Sequence, residues 1–213
     1  MENTNKFYSQ YQQDKWLFDK YFSNKKDGVF IEIGADDGVQ YSNTLFYENL
    51  GWTGLCIEPS PARYLELTSN RKCLTENVAL SDYKGTTEFT DISGYGRGLS
   101  GLTEDYDQQH KNRISQEIQN PACGGSYLVD VNVDLLTNVL EKHKLYDIDF
   151  CSLDTEGSEY KILRKFDFDK FNIRVFLIED NQYGNIESIN ELLESNGYRF
   201  VETVGIDNVY IKE

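Results

Sequence analysis

Val29–Gly38, VFIEIGADDG, is the stretch whose reading decides the fold. Val29 to Ile33 is a short apolar, β-branched run with Glu32 near its end, Gly34 interrupts it, and Gly38 precedes a segment of helical pattern. A buried strand passing through a glycine turn into a helix is the opening unit of a nucleotide-binding α/β domain. Working outward, the apolar runs Thr53–Ile57, Cys73–Leu80, Ile148–Leu153 and Ile173–Ile178 predict further buried strands. Between them the pattern predicts helices: Asp14–Phe22 ahead of the first strand, then Ser42 or Asn43 to Leu50, and one capped by Ser60 with Pro61 at its first position. Further helices are expected over Leu135–Leu145, from Ser158 or Glu159 to Phe166, and over Asn185–Ser195. Thr86–Ile92 and Tyr127–Val133 alternate as extra strands, and Tyr198–Val204 with Asn208–Lys212 form a terminal antiparallel hairpin. Strands alternating with helices and closed by a hairpin predict an α/β, mostly parallel, doubly wound sheet.

The chain reads as one domain over residues 1–213, with a leading helical segment 1–27. Residues 93–126 are too long for an ordinary connector and read as a lid-like insertion, helical over about Glu104 to Ile118. A hydrophobic content of 39% with 14% aromatics is that of a folded globular protein. The formal charge of −15 argues against an electrostatic grip on nucleic acid or an anionic membrane. Lys161, Arg164, Lys165 and Lys170 read as a solvated helix face. No run approaches the ~20 apolar residues of a membrane span, and MENTNKFYSQ lacks a signal-peptide pattern, so a cytoplasmic location is expected. The four cysteines show no CxxC spacing, and Cys56 and Cys151 read as core thiols rather than as zinc ligands or disulfide partners.

A dinucleotide site wants GxGxxG so that a pyrophosphate can approach the backbone. Here the turn is one glycine short and carries Asp36 and Asp37, which repel a pyrophosphate and disfavour an NAD-dependent oxidoreductase. A cationic nucleoside without phosphate, S-adenosylmethionine, suits the turn. Glu32 is placed to hold its ammonium, Gly34 and Ala35 allow close backbone approach, and Glu58 stands near where an acid grips ribose hydroxyls. Ser81 or Asp82 is expected to face the adenine, and Asp37, Gly38, Asn43, Pro59 and Asp154 complete the cofactor candidates.

The chain resembles the FkbM-type S-adenosylmethionine-dependent methyltransferases from about Ser9 to the C-terminus. The motifs are SQYQQD (Ser9–Asp14), VFIEIGADDG, SNT (Ser42–Thr44), CIEPSP (Cys56–Pro61), VALSD (Val78–Asp82), IDFCSLDTEGSE (Ile148–Glu159) and FLIEDN (Phe176–Asn181). The resemblance implies a class I methyltransferase fold, a Rossmann-like three-layer αβα sandwich with a seven-stranded sheet, and O-methylation of a sugar or small-molecule hydroxyl. Many members carry Lys where this chain has Ser152, so no role of that lysine is carried over. An N-methyltransferase and a non-catalytic S-adenosylmethionine-binding protein are the alternatives. The acceptor is expected to be a small molecule or saccharide, and the oligomeric state is open, with a homodimer one option.

Methyl transfer needs in-line positioning and, for an alcohol, removal of a proton by a base or a metal ion. Asp154 is the first candidate for a catalytic acid or metal ligand, and Glu156 is either catalytic or a cap for the next helix. Asp154 with Asp180 and Asn181 resembles the three-ligand set of metal-dependent catechol-type O-methyltransferases, which suits Mg²⁺. The competing reading makes the FLIEDN acids a helix cap. His110 reads either as an exposed helix residue or as a general base presented by the lid, with Arg113 recognising an anionic group. Tyr95, Arg97 and Ser100 are further candidates for substrate contact, and His143 reads as a surface residue.

Overall fold

A computed structural model describes residues 6–180 and 186–213, so Asn181 and the expected helix start at Asn185 lie outside the described residues. Seven strands form the main sheet: β1 (Val29–Ile33), β2 (Thr53–Ile57), β3 (Leu74–Glu76), β8 (Asp147–Leu153), β9 (Asn172–Glu179), β10 (Tyr198–Val204) and β11 (Asp207–Lys212). Their order is β10-β11-β9-β8-β1-β2-β3. The five strands from β9 to β3 run parallel, while β11 is antiparallel to both β9 and β10. The chain runs outward from β1 through β2 to β3 and then returns to β8 on the other side. That reversal leaves a crevice at the C-terminal ends of β1 and β8, the place where open α/β sheets bind ligands. This is the class I methyltransferase fold that the resemblance implies.

Strand alternation sorts the apolar residues onto two faces. Phe30, Cys56, Phe150 and Leu177 point to one face, where they pack with Leu17, Phe46, Tyr47 and Leu67 from α1 (Gln13–Leu17), α2 (Leu45–Asn49) and α3 (Pro61–Asn70). Ile31, Ile33, Cys151 and Ile178 point to the other. There they meet Leu136 and Leu140 of α5 (Leu136–His143), Ile162 of α6 (Glu159–Leu163), and Ile189 and Leu193 of α7 (Ile186–Ser195). Both clusters are buried, so the sheet is covered on both sides as a parallel sheet requires.

The leading segment is held by its own polar motif. The Asp14 carboxylate accepts from the backbone of Tyr8 and Ser9 and from the Ser9 hydroxyl, and Gln13 Nε2 donates to buried Asp207 at 2.8 Å. The expected helix over Asp14–Phe22 is α1 continued by a π-helical turn at Phe18–Phe22.

Two expectations need correction. The predicted third strand, Cys73–Leu80, is divided between two sheets. Asn77 Nδ2 donates to the carbonyls of Glu58 and Pro59 between β3 and β4 (Ala79–Leu80), and β4 pairs with a different sheet. That second, four-stranded sheet was not anticipated: its order is β4-β7-β5-β6, built on β5 (Gly85–Ser93) and β7 (Gly125–Asp134) with the short β6 (Gly101–Leu102). Phe89, Leu102, Val131 and Val133 give it a small core of its own. The segment 94–124 crosses from β5 to β7 and includes α4 (Gln108–Glu117), shorter than the predicted helix and capped by the Asp107 side chain. No helix among the described residues is long and apolar enough to cross a membrane.

Two glycines separate conformational from steric need. Gly34 (φ +81°) has the Asp154 carbonyl oxygen 1.8 Å from where a Cβ would stand, whereas Gly51 (φ +99°) has nothing within 4 Å. Gly34→Ala is expected to cost more than about 3 kcal/mol in denaturant unfolding, because β1 and β8 must move apart. Gly51→Ala is expected to cost only about 1 kcal/mol, from backbone strain. Equal losses in the two variants would contradict the close approach.

Candidate active site

The crevice between the two sheets holds a cleft of about 1040 Å³, counting the open solvent at its mouth. Its wall is drawn from the glycine turn, the Gln40–Asn43 loop, the ends of β2 and β8, the Val78–Leu80 segment and the second sheet. The cleft brings together Glu32, Gly34, Ala35, Asn43, Glu58, Pro59, Asp154, Glu156, Arg97 and Ser100 from the residues singled out in the sequence.

At the cofactor end, two acids are already engaged. Glu58 is buried and its carboxylate accepts from the backbone N–H of Ser60 at 2.8 Å and of Asp36 at 2.9 Å. Burial, only partly offset by those donors, pushes it up to about 8. Glu32 is 5% exposed. Its Oε1 accepts from Asn43 N at 2.7 Å, and its Oε2 from Ser42, Thr44 and Arg71. Glu32 thus spends its acceptors on the loop that forms the cleft wall. Asn43, which the sequence placed only loosely, donates through Nδ2 to Ser152 at 2.9 Å. Its Oδ1 is buried in the cleft wall with no donor.

The two aspartates of the turn are not open acids. Asp36 lies 2.8 Å from Arg97 Nε and 3.8 Å from Arg63, and Asp37 lies 2.9 Å from Arg97 Nη2. Asp36 also takes a left-handed backbone (φ 48°) and, through burial, is pushed up to about 6. Asp37 Oδ1 accepts from Val39 and Gln40, which turns its side chain back on the loop. Gly38 packs against Leu67 and Arg71. Neither Asp37 nor Gly38 lines the cleft, whereas Arg97 does and also ties the insertion to the glycine turn.

Ser81 and Asp82 also lie off the cleft. Pairing of β4 with β7 turns them away, with Ser81 buried and Asp82 paired with Arg164, so the wall they were expected to form is Val78–Leu80 instead. Tyr95 is exposed and bonded to Glu117, and neither Tyr95 nor Arg113 lines the cleft. Of the basic residues read as one face, Lys161, Arg164 and Lys170 are matched by Asp105, Asp82 and Glu141.

At the far end Asp154 and Glu156 line the cleft, and Glu179, which does not, stands beside them. One oxygen each from Asp154, Glu156 and Glu179 lies within 4.8 Å of the others. Asp154 follows β8 and Glu179 ends β9. Because Leu153 is level with Ile178 in the ladder, Asp154 falls beside Glu179 and not beside Asp180. Asp180 points elsewhere, its Oδ2 3.4 Å from Asn208 Nδ2. This corrects the predicted grouping of Asp154 with Asp180. Glu156 holds a left-handed backbone (φ 57°), and the helix after it is served by Glu159, which accepts from Thr155 and Gly157, so Glu156 is not that cap. Asp154 lines the cleft and is exposed, whereas Glu156 is buried and Glu179 half-buried. Burial and then Glu179 push Asp154 well above the usual carboxylate range. Burial and then Asp154 do the same to Glu156, and burial and then Glu156 push Glu179 up to about 8. The hydrogen bond between Asp154 and Glu179 raises the first and lowers the second.

His110 is buried, contrary to the exposed-face reading. It stacks on Tyr106 (centroids 4.2 Å apart), its Nε2 is 3.2 Å from the Leu99 carbonyl, and its Nδ1 is 3.5 Å from Glu156 Oε2. A carbonyl only accepts, so Nε2 carries the proton and Nδ1 faces Glu156 as an acceptor. Burial lowers the His110 pKa and keeps the ring neutral. His110 therefore stands behind Glu156 rather than in the cleft.

The sequence profile of the methyltransferase FkbM domain matches residues 32–200. The chain belongs to this family and is an S-adenosylmethionine-dependent methyltransferase. A search of curated proteins gives no match. Solved structures resemble it at low identity. The ribosomal protein L11 methylase of Lactobacillus delbrueckii subsp. bulgaricus is 11% identical over 95% of this chain and 78% of that one, with a TM-score of 0.46. A TehB-like SAM-dependent methyltransferase from Corynebacterium glutamicum is 9% identical over 99% and 90%, with a TM-score of 0.46. Human methyltransferase 10 domain containing protein is 13% identical over 93% and 79%, with a TM-score of 0.45.

The acid cluster fixes a pH dependence. Folded-state values raised above the unfolded ones mean that the native cleft binds extra protons, so its contribution to stability is complete below the unfolded pKa and is lost as pH rises through about 8. Glu179→Gln removes one titrating group and keeps an acceptor. It is expected to raise the ligand-free melting midpoint by about 2–4 °C at pH 8, roughly 1 kcal/mol, and to change it little at pH 5. A fall at pH 8 in thermal unfolding would contradict the assigned protonation.

Proposed function

We propose that this methyltransferase acts on a hydroxyl of a small polar acceptor, a sugar or related polyol, and that Asp154, with Glu179 beside it, takes the hydroxyl proton. The observation that carries this is the trio Asp154, Glu156 and Glu179 at the strand ends beside the glycine turn, two of which line the cleft. S-adenosylmethionine supplies an electrophilic methyl group on a positively charged sulfur. The chain's own residues do the rest. Gly34 and Ala35 admit the cofactor close to the backbone, and Glu58 faces the cleft where ribose hydroxyls would be held. A cation in the cleft lowers the pKa of all three acids, so the base is unmasked when the methyl donor is in place. A hydroxyl donates well to such carboxylates, whereas an anionic acceptor is repelled by them. The Phe89 and Leu102 side of the second sheet then covers the apolar part of the cleft and limits water.

The same trio favours a second reading, a divalent cation. Among the described residues, Glu156 Oε2 and Glu179 Oε2 are buried with no hydrogen-bond partner. Three such oxygens suit Mg²⁺, which Asp154, Glu156 and Glu179 would hold in place of the predicted Asp180 and Asn181. Bound there, it would acidify the acceptor hydroxyl.

Screening sugars and polyols with S-adenosylmethionine, read by mass spectrometry, tests the proposal. Asp154→Asn is expected to cut turnover by about 10²–10³ while S-adenosylhomocysteine still binds. Full activity after chelation supports the base, and loss restored by Mg²⁺ supports the cation. Methylation on nitrogen alone, or undiminished turnover in Asp154→Asn, would overturn the reading.

A further inference from the structure

We propose that Arg71, which lies outside the cleft, is a positioning residue that shapes the seat for the amino-acid end of S-adenosylmethionine. Arg71 follows α3, and its side chain has no exposed surface. Nε donates to Glu48 Oε2 at 2.9 Å. Nη1 donates to Glu32 Oε2 (3.1 Å), the Gly38 carbonyl (3.1 Å) and Ser42 Oγ (3.2 Å), and Nη2 to Thr44 Oγ1 (2.8 Å). The guanidinium also lies over the Phe30 ring, 5.5 Å from its centroid. One planar fork thus joins the end of β1, the end of the glycine turn, the Ser42–Thr44 loop and α2.

That loop is the cleft wall, and it needs holding. Gln40 to Asn43 all line the cleft, their backbone makes no ladder beyond a single bridge from Ser9 to Tyr41, and Tyr41 sits at φ 60°. A left-handed backbone at a tyrosine persists only where its surroundings over-determine it. Here they are Glu32 and Arg71: Glu32 Oε1 fixes Asn43 N, while Glu32 Oε2 and Arg71 share Ser42 and Thr44. What the pair holds in place is Asn43, a residue of the cleft wall whose buried Oδ1 has no donor among the described residues. An ammonium group is the donor such an oxygen suits, and the amino-acid end of the cofactor carries one. Charge alone would not do this. A lysine at position 71 keeps the cation for Glu32 but cannot also reach Gly38, Ser42, Thr44 and Glu48 with fixed geometry.

The inference rests on the S-adenosylmethionine reading, and the test separates the two. Calorimetry at a temperature where circular dichroism shows each variant folded compares S-adenosylhomocysteine with 5′-methylthioadenosine, which lacks the amino-acid end. Arg71→Lys is expected to weaken S-adenosylhomocysteine by about tenfold, or ~1.4 kcal/mol, and methylthioadenosine by no more than about twofold. Glu48→Gln removes the charge of an Arg71 partner remote from the cleft and serves as the control for a general loss of stability. It is expected to leave both ligands within about twofold of wild type. Equal weakening of both ligands in Arg71→Lys, or unchanged binding, would overturn the positioning role, as would equal weakening in Glu48→Gln. Failure of the unaltered protein to bind S-adenosylhomocysteine would instead overturn the cofactor assignment.

Discussion

The site depends on one close approach. The Asp154 carbonyl oxygen occupies the space where a side chain on residue 34 would begin, 1.8 Å from an ideal Cβ. The Asp154 backbone N–H in turn donates to the Ile33 carbonyl at 3.1 Å, and the N–H groups of Gly34 and Ala35 donate to the Ile57 carbonyl at 3.0 Å. These bonds clamp the ends of β1, β2 and β8 together at the level of the cleft. Glu58 then leaves the end of β2 on one side, and Asp154 leaves β8 on the other. Parallel pairing of β8 with β9 brings Glu179 alongside. Cofactor turn and acid cluster are therefore two consequences of one glycine.

Acids are treated in two ways around this point. Glu32 has an arginine, two hydroxyls and a backbone N–H, so it is a fixed part of the wall. Asp154, Glu156 and Glu179 instead crowd one another, and desolvation with their mutual repulsion pushes all three above the usual carboxylate range. The first arrangement gives shape, and the second gives a charge that responds to what enters the cleft. A cationic methyl donor is the ligand to which both are suited.

Much of the architecture was legible in the residues. The four central strands, the Ser60-capped helix and the terminal hairpin follow from apolar runs and turn residues, and the structure places them within a few positions. The second sheet was not legible, because its pairing joins residues 85–93 to 125–134 across a long insertion. Likewise, nothing in the polar neighbourhood of His110 announces that its helix turns that ring inward onto Tyr106. Register explains the exchange of Asp180 for Glu179. Both acids were visible in LIEDN, but which one meets Asp154 depends on the alignment of Leu153 with Ile178. Arg71 was missed altogether: a single arginine after a helix carries no motif, and its meaning lies in the carboxylates of Glu32 and Glu48 that the fold brings to it.

A crystal structure with S-adenosylhomocysteine bound tests the account most directly. It should show the ribose at Glu58, the amino group within hydrogen-bond reach of Asn43 Oδ1, and the sulfur facing the cluster of Asp154, Glu156 and Glu179. A sulfur directed away from that cluster, or an amino-acid end lying against Val78–Leu80, would contradict it.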